Sequence, residues 1–289
     1  MSHAKACLIM PNPQSAGLTR QVQGMDHSGE LLELQVVEER PLTIWLNGQE
    51  IVTAMTIGDY PEFLAQGFLS NQGMLAHDEV VQSIEFDKEL EVVVVRTDRP
   101  TNYEAKLKKK TRTSGCAIGT VFGDIMEGIE GLKLPQTHLR TSWLYALSHS
   151  INQMPSLYLS AGAIHGTVLC HEDQPLVYME DVGRHNAVDK VAGWMRATQT
   201  VGSDKILYTT GRLTSEMVIK CALMGIPALV SRSGFTAWGA ELAQQVGLTL
   251  IGRMRGHRFQ CLSGKERLIF DAEVTLPNEG TKHQRKSAQ

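Results

Sequence analysis

The sequence predicts an α/β fold: a layered domain with a mostly parallel sheet, preceded by a smaller β-rich region. From about residue 137 onward, helical and extended patterns alternate, which is typical of strands joined by covering helices. Between residues 34 and 97, short apolar runs are separated by turn signals, which is typical of hairpins. The chain has 289 residues, of which 42% are hydrophobic and 20% charged, so a sizeable core can form and wholesale disorder is excluded.

Changes in composition divide the chain into four parts. Residues 1–30 show no periodicity and are predicted to form a loose arm. Residues 31–123 form the β-rich region, which ends in a cysteine-containing loop, and residues 124–277 form the α/β domain. The polar, charged residues 278–289 are predicted to be a disordered tail.

Two hairpins are predicted in the β-rich region. The first has strands at residues 42–46 and 50–56, on either side of Asn47-Gly48, a dipeptide suited to the positive backbone angles of a tight turn. The second has strands at residues 80–86 and 90–97.

One helix interrupts the hairpins and several more follow them. Asp59 is predicted to cap a helix that starts near Pro61 and ends near Asn71. In the α/β domain, helices are predicted at residues 137–153, 184–196, 214–224 and 237–246, and strands at residues 176–180, 205–210, 226–231 and 248–252.

Charge and cysteine content narrow the class of protein. The 28 Lys and Arg residues nearly balance the 31 Asp and Glu residues, which argues against nucleic-acid binding. The five cysteines are scattered, odd in number and never spaced as C-x-x-C, so a disulfide framework is disfavoured and a reducing cytoplasm is expected. The longest apolar stretches have the length of strands, so no membrane segment is predicted.

One cysteine lies in a setting suited to chemistry. Cys116 lies between Gly115 and Gly119 and follows a run of cationic residues. Positive charges close to a cysteine stabilise its thiolate form. The five cations that precede it are Lys106, Lys108, Lys109, Lys110 and Arg112. A nucleophilic or sulfur-carrying cysteine and a solubilising charge run beside an ordinary residue are both open on these residues alone. Cys221, among apolar helix residues, is predicted to be a buried core thiol.

Four successive strands end in Gly or Ser next to Arg. Such ends share one edge of a parallel sheet, where backbone amides, helix N-termini and arginines can bind phosphate. A phosphate-bearing ligand is therefore favoured over ordinary helix capping. The candidate residues are Asp181, Arg184, His185, Gly211, Arg212, Ser231, Arg232, Ser233, Arg253, Met254, Arg255, Gly256, His257 and Arg258.

Two histidines have alternative interpretations. His165 either contacts the ligand or moves protons, and a satisfied structural histidine is equally consistent with the sequence. His185 starts a predicted helix, and its side chain either points into the ligand-binding cleft or caps that helix. The motifs G-x-G-x-x-G and G-x-x-x-x-G-K-[ST] are both absent, so a large phosphorylated ligand fits better than a hydride cofactor or ATP.

The same segments resemble a known family. The string from Glu180 to Lys190, Glu-Asp-Val-Gly-Arg-His-Asn-Ala-Val-Asp-Lys, resembles the signature of the FdhD/NarQ family of formate dehydrogenase accessory sulfurtransferases. The blocks at residues 210–216 and 226–233 resemble the next two blocks of that family. Thr113-Ser-Gly-Cys116 resembles its cysteine loop, and the likeness extends over residues 35–270.

This resemblance implies both a fold and a function. It implies a cytidine-deaminase-like α/β fold, a cytoplasmic homodimer, and a persulfide on Cys116 supplied by a cysteine desulfurase. The sulfur would pass to the molybdenum bis(molybdopterin guanine dinucleotide) cofactor, which formate dehydrogenase needs, and GDP-like nucleotides would mimic that ligand. Residues 253–258 match the place where the family is thought to hold the cofactor, and Asp181 either bonds a guanine edge or organises its turn.

The chain departs from the family pattern at Gly119, where a second loop cysteine is frequent. Relay through Cys116 alone remains possible, because transfer needs one thiolate. Two alternatives stay open. One is a non-catalytic molybdenum-cofactor chaperone. The other, a zinc deaminase, is disfavoured because His165 is followed by Gly166 and Thr167 and no P-C-x-x-C is present, so no metal site is predicted.

Overall fold

Two larger sheets, two two-stranded sheets and six α-helices make up the fold that the computed structural model describes for residues 8–76, 78–98 and 129–272. The strands are β1 (Thr19–Met25), β2 (Leu31–Val37), β3 (Arg40–Leu46), β4 (Gln49–Thr56), β5 (Val81–Asp87), β6 (Val92–Thr97), β7 (Leu139–Arg140), β8 (His165–His171), β9 (Gln174–Asp181), β10 (Lys205–Thr209), β11 (Ala228–Ser231), β12 (Thr249–Arg255), β13 (Arg258–Ser263) and β14 (Leu268–Ile269). The helices are α1 (Pro61–Asn71), α2 (Thr141–Gln153), α3 (Leu157–Ala161), α4 (Arg184–Ala197), α5 (Ser215–Leu223) and α6 (Ala237–Val246). Within these ranges, no helix is long and apolar enough to cross a membrane.

A four-stranded sheet in the order β4-β3-β6-β5 confirms both predicted hairpins. Asn47 adopts the left-handed backbone with φ 55°, as the tight turn requires. Alternate side chains of β3 and β6, including Ile44 and Val93, are buried together under α1. Burial of one face of this sheet fixes its register.

Helix α1 covers the residues expected, but the predicted cap is wrong. The cap residue is Tyr60, with φ 48° and no side-chain cap bond, and Pro61 follows as the first helical residue. Asp59 instead forms an ion pair with Lys190, with 2.5 Å between Oδ1 and Nζ. A buried ammonium 131 residues away attracts the carboxylate more strongly than the exposed amides of a helix terminus do.

The second sheet has six strands in the order β13-β12-β11-β10-β8-β9, and the expectation of a mostly parallel sheet is wrong. Only the pairs β10-β11 and β11-β12 are parallel within this described sheet. Strands β8 and β9, and likewise β12 and β13, are joined by two-residue turns, which impose antiparallel pairing.

The direction of the strands nevertheless matches the expectation for the four strand ends. Because β8 is antiparallel to both β9 and β10, strands β9, β10, β11 and β12 all run the same way. Their carboxyl ends therefore lie along one edge of the sheet, which we call the carboxyl edge.

Helices cover both faces of the six-stranded sheet. One apolar cluster joins one face to α4, α5 and α6, and a second joins the other face to α2. Cys221 on α5 lies in the first cluster, fully buried, and burial raises the pKa of its thiol, which confirms the prediction of a core cysteine. The result is a layer of strands between two layers of helices.

The two sheets are joined where α1 packs against α4. A Cβ added to Gly67 would lie 1.7 Å from the backbone oxygen of Asp189, and one added to Gly193 would lie 1.9 Å from that of Phe63. The two helix backbones are therefore in direct contact, and only glycine fits at both positions.

The prediction of a loose arm over residues 1–30 is wrong for its second half. Strand β1 pairs with β2 in a regular antiparallel hairpin, and Asp26 Oδ1 organises the turn by accepting bonds from the amides of Ser28 and Glu30. Further upstream, Ile9 forms a bridge with Val177 at the outer edge of β9. The other predicted boundaries, at residues 123 and 277, lie outside the described residues.

Candidate functional site

The carboxyl edge brings most of the predicted site residues together. Arg212, Arg253 and Arg255 are exposed there, while Arg232 is half-buried. His165 enters the same group from the amino end of β8, because β8 runs opposite to its neighbours. The edge therefore combines several cations with the start of α4, whose dipole adds positive potential.

Asp181 ends β9 and is fully buried. Its Oδ2 accepts a 2.5 Å bond from the Thr56 hydroxyl, and its Oδ1 accepts bonds from the Gly183 amide and the Asn186 side chain. Because both oxygens are engaged, the geometry supports the interpretation that Asp181 organises the turn, and offers no free oxygen for a guanine edge.

The side chain of Lys190 anchors the Asp181 turn through ion pairs. Its ammonium lies 2.6 Å from Asp181 and 2.5 Å from Asp59, with a further bond to the Glu180 backbone oxygen, and no part of its side chain is exposed. Burial by itself lowers the pKa of Lys190, but the two carboxylates outweigh that effect and raise it. A charged Lys190 therefore fixes the Asp181 turn to the β4–α1 loop.

Two histidines near the carboxyl edge, His165 and His185, have lowered pKa values. Burial lowers the pKa of His165, and the charge of Arg184 lowers it further. His165 Nδ1 lies 3.4 Å from the Thr210 hydroxyl. Burial also lowers the pKa of His185, whose Nε2 contacts Glu216 at 3.3 Å, so His185 points into the protein toward α5.

Hydrogen bonds tie the successive strand-end loops to one another. The buried Ser231 hydroxyl donates to the Gly211 carbonyl at 2.6 Å and accepts from the Ser233 amide at 2.9 Å. The Arg253 amide donates to the Ser233 carbonyl at 2.8 Å. Gly211 is also needed for space, because a Cβ there would lie 2.9 Å from the side chain of Arg184. Ser231 and Ser233 thus position the loops.

The hairpin of β12 and β13 displays the segment from Arg253 to Arg258. Arg255 and Arg258 are exposed partners across the Gly256-His257 turn, and the His257 ring lies 4.5 Å from that of Tyr145. A bulge gives Arg253 a φ of 54° and turns its exposed side chain toward Gly234.

Met254 departs from the predicted ligand set. Its side chain is 0% exposed and lies in the apolar cluster under α2. The alternation of a strand sends Met254 to the opposite face from its exposed neighbours Arg253 and Arg255. A ligand at the edge could reach the backbone of Met254 but not its side chain.

A cavity of about 210 Å³ opens beside these loops. Arg232, His165 and Asn152 supply nitrogen groups to its lining, and Tyr178 and Glu180 form one wall. Glu180 is buried and accepts bonds from the Ser156 hydroxyl and the Leu157 amide. Burial raises the pKa of Glu180, and the pKa of Tyr178 is raised to about 12 by burial and by the neighbouring carboxylate.

Cys116 and its cationic neighbours lie outside the described residues. Cys170 and Cys221 are buried, and Cys261 is half-buried with a raised thiol pKa that burial causes. In residues 8–76, 78–98 and 129–272, no three His, Cys, Asp or Glu side chains are grouped in a way that could hold a metal ion.

Several residues that shape the site could not be assigned a role from the sequence. Lys190 and Glu180 belong to the string that resembles the family signature, and nothing local marks Thr56 and Asn186 as partners of Asp181. These residues hold the edge in place, and the Thr56–Asp181 and Lys190–Asp59 contacts join segments more than 100 residues apart. The one available signal was an uncompensated Lys at an inward-facing position of a predicted helix.

Comparisons with known proteins agree with this architecture. A family model described as FdhD/NarQ family matches residues 37–269. "Sulfur carrier protein FdhD" of Wolinella succinogenes is 31% identical over 240 residues, which cover 82% of this chain and 83% of that one. The protein of the same name from Bacillus subtilis is 28% identical over 82% of this chain and 91% of its own.

A solved structure is also similar. The crystal structure of a formate dehydrogenase accessory protein from Desulfotalea psychrophila superposes with a TM-score of 0.71 at 28% identity, covering 87% of this chain and 98% of that one. The chain is therefore a mixed α/β protein whose six-stranded sheet has an arginine-rich edge. The extent of the family match shows that the chain belongs to the FdhD/NarQ family.

Proposed function

We propose that this protein is a sulfur carrier that works through Cys116. It accepts a sulfur atom from the persulfide of a cysteine desulfurase and passes it to the molybdenum bis(molybdopterin guanine dinucleotide) cofactor, which formate dehydrogenase requires. The family match and the sulfur-carrier names of the relatives support this proposal. The accessory-protein name of the similar structure supports formate dehydrogenase as the enzyme served.

The observation that carries the proposal is the cationic carboxyl edge. A molybdenum cofactor of this form carries two pyrophosphates, and arginine binds phosphate oxygens through paired N–H groups. The exposed side chains that supply this chemistry are Arg212, Arg253, Arg255 and Arg258. Arg184 begins α4, and the amides of that helix terminus add donors for an anion.

The first chemical step is an exchange between two thiols. The Cys116 thiolate attacks the outer sulfur of the desulfurase persulfide, the sulfur–sulfur bond of the donor breaks, and the desulfurase leaves as a thiolate. No electrons are gained or lost overall. Delivery of the sulfur as a sulfide ligand requires two electrons, which an external thiol or the metal supplies, because Gly119 provides no second loop thiol.

Three finer features belong to the same proposal. The protein is a cytoplasmic homodimer, it has the cytidine-deaminase-like layering, and it binds GDP-like nucleotides as mimics of the cofactor. The position of β8 between β9 and β10, antiparallel to both, and the helices on both faces of the sheet are compatible with that layering. The homodimer and the nucleotide binding derive from the family resemblance.

Mass spectrometry after incubation with a cysteine desulfurase and cysteine tests the carrier role. We expect one added sulfur on the peptide that contains Cys116, and none in Cys116→Ala. Cys261→Ala is the matched control, since it removes a half-buried thiol and should still be loaded. A Cys116→Ala variant that activates formate dehydrogenase normally would contradict the carrier role and favour a non-catalytic cofactor chaperone.

A further inference from the structure

Glu180 is a buried carboxylate without an ion-pair partner among the residues that the structure describes. Only 2% of the residue is exposed, and no described Lys, Arg or His forms an ion pair with its carboxyl oxygens. The ammonium of Lys190 binds the backbone oxygen of Glu180 instead, at 2.9 Å. Burial of a carboxylate costs free energy unless hydrogen-bond donors surround it, so the donors around Glu180 indicate what it does.

Those donors come from the start of helix α3. The Oε2 atom of Glu180 accepts a bond from the Leu157 amide at 2.8 Å, and its Oε1 accepts from the Ser156 hydroxyl at 2.5 Å. The Ser156 hydroxyl, which caps α3, accepts in turn from the Tyr158 amide at 3.0 Å. One side chain of β9 therefore engages the first two amides of the helix, one directly and one through Ser156.

Helix α3 has little apolar burial to hold it in place. It has five residues, and of these only Leu157 is buried. A helix of this length is unstable by itself, because its few hydrogen bonds do not compensate the cost of nucleation. The Glu180 carboxylate therefore fixes where α3 begins and, with it, where the exposed ring of Tyr158 lies.

The Tyr158 ring contacts an arginine of the carboxyl edge. The guanidinium carbon of Arg232 lies 5.8 Å from the ring centroid, within the range of a cation–π contact. Arg232 Nη1 donates to Asn152 Oδ1, in the last turn of α2, at 2.7 Å. A guanidinium held on its face by a ring and at one corner by an amide oxygen presents its other N–H groups in a fixed plane. All three residues line the cavity of about 210 Å³.

The geometry points to Glu180 as a positioning residue that sets the orientation of the Arg232 guanidinium through α3 and Tyr158. This inference rests on the proposed function, because the anion that Arg232 meets is then a phosphate of the cofactor. Glu180 touches no ligand in this role, since α3 engages both its carboxyl oxygens. Glu180 lies near the end of β9, whereas Arg232 follows β11. One strand end therefore controls how another strand end meets an anion.

Calorimetry with inorganic pyrophosphate and the full chain tests the link from Tyr158 to Arg232. Tyr158→Ala should weaken pyrophosphate binding roughly two- to fivefold, the scale of an exposed cation–π contact. In an Arg232→Ala background, Tyr158→Ala should have no further effect, because the group that the ring orients is gone. Tyr158 is exposed, so its truncation should not prevent folding.

The link from Glu180 to Tyr158 is tested in the same assay. Glu180→Gln keeps the shape of the side chain but replaces one acceptor oxygen with an amide group that only donates. It should also weaken binding roughly two- to fivefold, and it should have no further effect when Tyr158→Ala is already present. A residue that served stability alone would have the same effect in both backgrounds. Glu241→Gln, which changes an exposed carboxylate of α6, is the control and should bind pyrophosphate normally.

Three results would overturn the inference. They are unchanged binding in Tyr158→Ala, additive effects of Tyr158→Ala and Glu180→Gln, and no pyrophosphate binding by the unaltered protein, since Arg232 would then have no anion to meet. If Glu180→Gln does not fold, Ser156→Ala replaces it, because it removes the hydroxyl that joins the carboxylate to the Tyr158 amide. Sulfur loading of Cys116 is a separate readout, so the proposed carrier role can fail or stand independently.

Discussion

The four-stranded and six-stranded sheets use burial in different ways. In the four-stranded sheet, the side chains buried against α1 are almost entirely apolar. In the six-stranded sheet, an apolar core on each face is accompanied by buried charged groups near the carboxyl edge. These charged groups are Glu180, Asp181, Arg184, Asp189, Lys190, Glu216 and Lys220.

This difference indicates that burial stabilises the four-stranded sheet, whereas near the carboxyl edge of the six-stranded sheet it also fixes the positions of polar atoms. Apolar burial stabilises a fold without prescribing where any polar atom lies, whereas a buried ion pair stabilises little but fixes positions. The charges concentrate where α4 and α5 meet the β9 turn and the α1 side of the molecule. The buried charged groups fix the backbone of the carboxyl edge, so its exposed arginines are available to bind a ligand.

Removal of the Lys190 charge should have the largest effect. Lys190→Met leaves Asp181 and Asp59 without their ammonium, and Asp181 is fully buried, so we expect a loss of about 3–5 kcal/mol in the free energy of unfolding. Urea denaturation measures this. Lys88→Met, at an exposed turn of the four-stranded sheet, is the control and should stay within about 0.5 kcal/mol. Equal losses would remove the contrast between the sheets.

A substitution at the contact between the sheets should have the next largest effect. Gly193→Ala places a methyl group against the Phe63 carbonyl, so α1 and α4 must move apart, at a cost of about 1–3 kcal/mol or more. Thermal or urea unfolding measures it. Gly48→Ala, where an added Cβ meets nothing within 4 Å, is the matched control. A stable Gly193→Ala protein would show that the two sheets are less tightly coupled than described.

Loss of an edge arginine should change binding without changing stability. Arg255 is exposed at the β12–β13 hairpin, so Arg255→Ala should weaken GDP binding by about 1–3 kcal/mol in calorimetry and leave unfolding unaltered. Arg96→Ala, an exposed arginine on the four-stranded sheet, should bind GDP as the unaltered protein does. If the two variants bound equally well, Arg255 would be excluded from the phosphate site.

The smallest expected effect is on the pH dependence of stability. Because burial lowers the pKa of His185 in the folded state, the unfolded chain binds the proton first as the pH falls below about 6.5. Stability contributed by neutral His185 is therefore full above that pH and decreases on acidification, by less than about 1.4 kcal/mol per pH unit. His185→Gln should show a flatter dependence between pH 7.5 and 5.5 in urea titrations; an identical slope would mean that His185 is not buried in its neutral form.

Elements with strong local signals could be predicted from the sequence. The Asn47-Gly48 hairpin and the helix from Pro61 to Asn71 follow from turn chemistry and from the proline at the first helical position. The strand-end positions of the arginines followed from alternation alone, since each strand leads into a loop at the same edge. These features depend on a few neighbouring residues.

Features that depend on distant partners could not be predicted. The antiparallel pairing of β8 with β10 joins strands that are separated in the chain by strand β9 and helix α4, so no local sequence pattern marks it. The role of Asp59 depended on an ammonium 131 residues away, so the capping rule failed there. Strand β1, with Gln and Gly among its residues, forms because β2 pairs with it.

The short bridge between Ile9 and Val177 has a consequence for association of the molecule with copies of itself. Without residues 8–10, β9 would present unpaired amide and carbonyl groups along the outside of the six-stranded sheet. An open flank of this kind is a template for other extended chains, and it promotes aggregation. Residues 8–10 therefore protect the outer strand of this sheet from strand-to-strand polymerisation.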